Sequence, residues 1–180
     1  MERYILLERD GVINVRADEP VRSPDDFLML PFVMEAIDDL YRNEYRVIVL
    51  ADNSLVRKGE MQESDLAAIH DRMKSFFGNA AGIVDVLPCP ETEVKGELCF
   101  PNPVLLSACA KKYGFDHRQV FYIGSRIEAL RSAWAAGTRS ALVRTGKPFR
   151  TLQILRNSTQ QPDVLQNDLL STVIRIRSME

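Results

Sequence analysis

Glu8-Arg9-Asp10-Gly11 sets two carboxylates two residues apart, followed by a residue that permits a sharp turn. Carboxylates so spaced could hold Mg²⁺ and support phosphoryl transfer. An acidic turn leaving a strand would give the same pattern. Other chemistry-bearing residues are sparse: two His and three Cys in the whole chain. His70 and His117 have no acidic or cysteine cluster near them in sequence, so packed or surface roles are expected. Cys109 falls on the apolar face of a helical pattern and is assigned to the core.

The rest of the composition narrows the setting. The 180 residues carry 25 Asp and Glu against 23 Lys and Arg, a formal net charge of −2. A nucleic-acid-binding chain should show a basic excess, so no nucleic-acid partner is expected. At 46% hydrophobic, the chain can bury a core and is not of disordered composition. No window approaches the roughly 18 apolar residues of a membrane span, and MERYILLERD has too short an apolar run for a secretory signal. Three cysteines without a signal fit a reducing, cytoplasmic location. The length suits a single domain over residues 1–180.

Short apolar runs must position the acidic pair. Tyr4–Leu7, Arg46–Leu50, Ile83–Leu87, Val120–Ile123 and Ser140–Val143 read as strands, continuous enough to be buried on both faces. Helical stripes lie between them. One begins at Pro31 with Val33, Ile37, Leu40 and Tyr41 inward; another runs from Leu66 to Phe77 and stops at Gly78. Asn102-Pro103 opens a third, ended by Gly114; Ile127, Leu130 and Trp134 mark a fourth, ended by Gly137. Asp168–Arg177 reads as a last helix. The alternation predicts an α/β fold: three layers around a doubly wound, mostly parallel sheet, with no large cap domain. Ligands in such folds sit at the carboxyl ends of the strands, where strand one delivers Glu8 and Asp10. Residues 88–103, with three Pro before a helix and no periodicity, read as a loop insertion.

The segment ILLERDGVIN is similar to the I-x-L-D-R-D-G-V-I-N opening of haloacid dehalogenase-superfamily phosphatases. The chain most resembles their histidinol-phosphate and heptose-1,7-bisphosphate phosphatase branch. The likeness continues colinearly through VRSPDDFLMLPFVMEAIDDL, RVIVLADNSLVRKG, AIHDRM, CFPNPVLL, VFYIGSRIEALRSAWAAG and LVRTGKPFRTL, over roughly residues 1 to 152. The resemblance implies four catalytic stations: an Asp nucleophile with an acid/base Asp two residues later; a Thr or Ser after strand two; a basic residue in a later loop; and a metal-binding Asp after the next strand.

This chain departs at each station. Glu8 stands at the nucleophile position, one methylene too long, while Asp10 keeps the acid/base position. Ala51-Asp52-Asn53-Ser54-Leu55 stands where the branch reads Thr-Asn-Gln-Ser-Gly, leaving only Ser54 unchanged. Phe100 replaces the phosphate-holding Lys. Gly124-Ser125-Arg126-Ile127-Glu128-Ala129 replaces Gly-Asp-x-x-x-Asp, so Ser125 and Ala129 occupy two lost Asp positions. The zinc loop of many members is reduced to Cys89, Glu91 and Cys99, too few for the four closed ligands of structural zinc; no zinc is expected.

Each such contribution is worth about 10²-fold or more. The leading expectation is therefore a phosphatase-like protein that is inactive or severely impaired, with a binding or regulatory role. Its ligand would be a phosphate or sugar phosphate, or its partner a protein. Asn53, Ser54, Lys58, Arg126 and Lys147 would hold the ligand, with Arg144 nearby, although plain surface charge is the competing reading for the four basic groups. Glu8 and Asp10 would form at best a weak Mg²⁺ site, so Mg²⁺ is required only if the chain is active. The alternative is an active Mg²⁺-dependent phosphatase of a small sugar phosphate or histidinol phosphate. A third reading is a structural subunit docking through residues 88–103, with Phe100 exposed.

Overall fold

The computed structural model describes residues 2–78 and 82–179. The chain order is β1 (Arg3–Glu8), α1 (Val33–Arg42), β2 (Tyr45–Asp52), α2 (Ser54–Arg57), α3 (Glu63–Ser75), β3 (Ile83–Cys89), β4 (Thr92–Val94), β5 (Glu97–Cys99), α4 (Pro103–Tyr113), β6 (Phe121–Gly124), α5 (Ile127–Ala136), β7 (Arg139–Val143), α6 (Pro148–Arg156), β8 (Val164–Gln166) and α7 (Leu169–Arg177). Six strands form one parallel sheet in the order β3-β2-β1-β6-β7-β8.

Strand alternation sorts the core. Ile5, Leu7, Val47, Val49, Phe121 and Ile123 pack with residues of α1, α3 and α7 on one face. Leu6, Ile48, Leu50 and Tyr122 pack with α4 and α5 on the other, and Leu142 joins α5 to Leu155 of α6. This is the expected three-layer doubly wound fold. The chain builds outward through β2 and β3, then returns to the far side of β1. Strand order therefore reverses between β1 and β6, which opens a crevice at their carboxyl ends.

Element ends follow local chemistry. Asn102 caps α4, its side chain accepting the Val104 N–H at 3.1 Å, with Pro103 as first helical residue and Gly114 as C-cap. Other ends differ from expectation. The first helix starts at Val33, not Pro31, because Phe32 precedes it in the left-handed region at φ 64°. Likewise α3 stops at Ser75, before Phe76 and Phe77. Residues 88–103 are not all loop: β3 runs through Pro88 and Cys89, and β4 and β5 make an antiparallel hairpin. The sequence periodicity does not show α6 or β8.

Candidate functional site

Both sides of the β1–β6 crevice contribute. Glu8 shares its sheet face with Leu6, toward α5, and Arg9 turns the opposite way to meet His70 on α3. The β6 side supplies Ser125 and then Arg126, the N-cap of α5.

Glu8 is 1% exposed. Its Oε1 accepts hydrogen bonds from Arg126 Nε at 2.6 Å and Arg16 Nη2 at 2.7 Å. Its Oε2 accepts from the Ser125 N–H at 2.8 Å and the Ser125 hydroxyl at 3.0 Å. An ionised carboxylate has about four lone-pair sites, and all are engaged. Ser125 is boxed in: a Cβ on Gly11, whose φ is +87°, would lie 2.3 Å from Ser125 Oγ, and one on Gly146 would lie 2.6 Å from Ser125 Cβ.

Arg126 also donates from Nη1 to Glu91, the residue before the β4–β5 hairpin. Its guanidinium lies over the Phe100 ring, 4.5 Å from the centroid. Burial opposes its charge, yet Glu8 and Glu91 hold its pKa above the ordinary value. A cation at a helix N-terminus opposes the dipole, and these two carboxylates offset that. Phe100 itself is 1% exposed. This corrects the expectation of an exposed docking residue: the ring is the apolar floor under Arg126.

Asp10 accepts from Arg9 Nη2 at 3.0 Å, Arg9 Nε at 3.1 Å and Asn14 Nδ2 at 2.9 Å. Burial pushes its pKa up, but the Arg9 charge, the Asn14 bond and the Arg16 charge outweigh that and lower it. A proton donor works best with a pKa near the working pH, so this environment favours the base form and disfavours the acid. Beside Asp10 lies a cavity of about 160 Å³, whose lining includes Arg9, Arg16, Asp18, Asp52, Asn53 and Ser54. Asp52 accepts the Ser54 N–H at 2.7 Å, and Asn53 Oδ1 is buried without a hydrogen-bond partner.

The structure thus brings Asp10, Asn53 and Ser54 to one cavity and joins Glu8, Ser125 and Arg126 in a clamp that does not line the cavity and is linked to it through Arg16. Lys58 is instead exposed at the C-cap of α2. Lys147, half exposed, pairs with Asp18, and Arg144 donates to Asn167 at 3.1 Å; neither lines the cavity. Ala129 is buried against the β6 end, where a Cβ on Gly124 would lie 2.3 Å from its own. Sequence reasoning missed Arg9 and Arg16; it gave His70 a packed or surface role, and His70 is buried, and it weighed Glu91 only as part of a reduced zinc loop. Arg9 stood between the two acids and could have been read from strand alternation; Arg16 and Glu91 lie in irregular segments that carry no periodic signal.

The oxygens that a divalent cation would take are engaged by the chain's own donors. Mg²⁺ demands octahedral oxygen ligation, and here Glu8 has no free lone pair, Ser125 is neutral and Asp10 is held by Arg9. Among the described residues, no three of His, Cys, Asp or Glu are placed to hold a metal ion. The Cys89 thiol is pushed up to about 12, first by burial, and burial also raises Cys99.

A family model described as HAD-hydrolase-like matches residues 100–172. The chain is 33% identical over 152 residues to the D-glycero-β-D-manno-heptose-1,7-bisphosphate 7-phosphatase of Bordetella bronchiseptica, covering 83% of this chain and 85% of that one. It is 31% identical over 150 residues to the Pseudomonas aeruginosa protein of the same name, covering 82% and 84%. Among solved structures, the D,D-heptose 1,7-bisphosphate phosphatase of B. bronchiseptica, complexed with magnesium and phosphate, matches with a TM-score of 0.85. That match has 26% identity and covers 99% of both chains.

Proposed function

The chain belongs to the HAD-like hydrolases, among the relatives of heptose-1,7-bisphosphate phosphatases, and from that premise we propose a phosphatase fold turned to binding. In this reading its cavity takes a small sugar phosphate or phosphate, and phosphoryl transfer is abolished or severely impaired. The observation that carries the proposal is Glu8. A nucleophile needs a free lone pair aimed at phosphorus, and this carboxylate spends both oxygens on four donors. Its extra methylene adds a positional penalty, since a ~1 Å misplacement can cost about 10²-fold. Asp10 in its lowered-pKa setting is a weak proton donor to a leaving alcohol.

The second reading is an active phosphatase of a small sugar bisphosphate. Its support is specific: the relatives at 33% and 31% identity are named as heptose-1,7-bisphosphate 7-phosphatases, and Asp10 lines the cavity. The names of the relatives weigh more for this reading than for the first; the saturated Glu8 weighs the other way. Purified protein, Mg²⁺ and a panel of phosphate esters that includes heptose-1,7-bisphosphate separate the two. The expected outcome is phosphate release at the buffer rate. A rate that disappears in Asp10→Asn overturns the proposal and establishes the second reading.

A further inference from the structure

We propose that the guanidinium groups of Arg16 and Arg126 are this chain's own replacement for a divalent cation, so that its site is complete without metal. The inference shares the Glu8 clamp with the proposed function but concerns cation binding, not turnover. Arg16 Nη2 donates to Glu8 Oε1 at 2.7 Å and to the Asp10 carbonyl oxygen at 3.2 Å. A carboxylate oxygen and a carbonyl oxygen converging on one point are donors that a hard cation takes; here an N–H occupies the point between them. The Ser125 hydroxyl gives its single proton to Glu8 Oε2 at 3.0 Å, with the Asp10 carbonyl oxygen 3.1 Å from the same Oγ.

The charges close without an ion. Glu8 and Glu91 contribute two negative charges; Arg16 and Arg126 contribute two positive ones, bonded to them. Adding a divalent cation would require expelling a guanidinium. Arg126 resists this, because it is seated over the buried Phe100 ring and held by two carboxylates at once. Arg16 is the more accessible of the two, at 24% side-chain exposure. A buried carboxylate must be paired to be tolerated, and this arrangement builds the counter-charge into the chain.

The test is cation binding followed by Mn²⁺ electron paramagnetic resonance, with melting compared in Mg²⁺ and in EDTA. The wild-type chain is expected to show no saturable Mn²⁺ binding at millimolar concentration and the same melting temperature in both buffers. Arg16→Ala frees one lone pair of Glu8 and the Asp10 carbonyl. It should bind Mn²⁺ at least about ten-fold more tightly than wild type and melt higher in Mg²⁺ than in EDTA. Arg16→Ala/Arg126→Ala should gain more, and Arg16→Lys, which keeps the charge, should gain nothing. Saturable Mn²⁺ binding by wild type, or a natively folded Arg16→Ala with no gain, overturns the inference. If the double variant does not fold, the single one decides. Turnover by wild type in EDTA would sink the proposed function and leave this inference standing; Mn²⁺ binding by an inactive wild type would do the reverse.

Discussion

At the scale of single residues, the clamp around Glu8 behaves as a unit and should respond to substitution as one. Glu8→Asp withdraws the carboxylate by one bond length from all its donors and leaves two guanidinium groups underpaired. We expect a loss of about 2–4 kcal/mol in urea unfolding and no gain in phosphatase rate. Arg126→Ala removes one of the two guanidinium partners of Glu8 and the partner of the part-exposed Glu91, and the loss should be at or below the about 3–5 kcal/mol of breaking a fully buried pair. Ser125→Asp alone would set a second carboxylate against Glu8 Oε2. Combined with Glu8→Asp it should be less harmful than the sum of the two, and a double-mutant cycle measures that coupling. Glu8, Asp10, Ser125 and Arg126 were legible because they sit at strand ends, where chain direction alone exposes them. Arg16 and Glu91 were not, since they reach the clamp from irregular segments whose paths only the folded chain reveals. Phe100 was misplaced for a related reason: an aromatic residue in a proline-rich loop gives no sign that a guanidinium will cover it.

Elements carry the next level of explanation. Strands with continuous β-branched runs and helices ended by Gly114 and Gly137 could be read directly, because those features are local. The sixth helix could not: its buried positions are Thr151 and Leu155, and Phe149 is 80% exposed, so its apolar stripe is too thin to register. Thr151 instead serves the neighbouring helix, its hydroxyl accepting the Ile127 N–H at 3.0 Å. Thr151→Val, nearly isosteric, should cost about 1–2 kcal/mol in denaturant unfolding by orphaning that N–H. On α3, Arg9 Nη1 donates to His70 Nε2 at 3.3 Å; arginine has no acceptor, so that nitrogen carries no proton. Burial first, and then the Arg9 charge, lower the His70 pKa from 6.5 to about 4. The unfolded chain therefore binds the proton more readily. The contribution is full above pH 6.5 and shrinks as pH falls toward 4, by up to about 3 kcal/mol. His70→Gln, which keeps an acceptor for Arg9, should flatten the stability profile in that window when unfolding is followed at several pH values.

On the scale of the whole molecule, the sheet order sets when the parts can meet. The strands made first, β1, β2 and β3, form one contiguous half of the sheet, and the later strands of that sheet, β6, β7 and β8, add along the open side of β1. During synthesis that side waits from Cys89 to Gly124, an interval of 35 residues. At about 5–20 residues per second this is roughly two to seven seconds. For that time Leu6 and Leu7 line an unpaired backbone edge, the kind of surface through which chains stick to one another. Glu8 belongs to the same nascent half as Arg16, so one of its two counter-charges is already at hand, while Arg126 has yet to be made. The ion cluster thus doubles as a rivet across the joint between an early half and a late half. A chain that lacks it would be most vulnerable on the ribosome, before any finished molecule exists to be tested for activity.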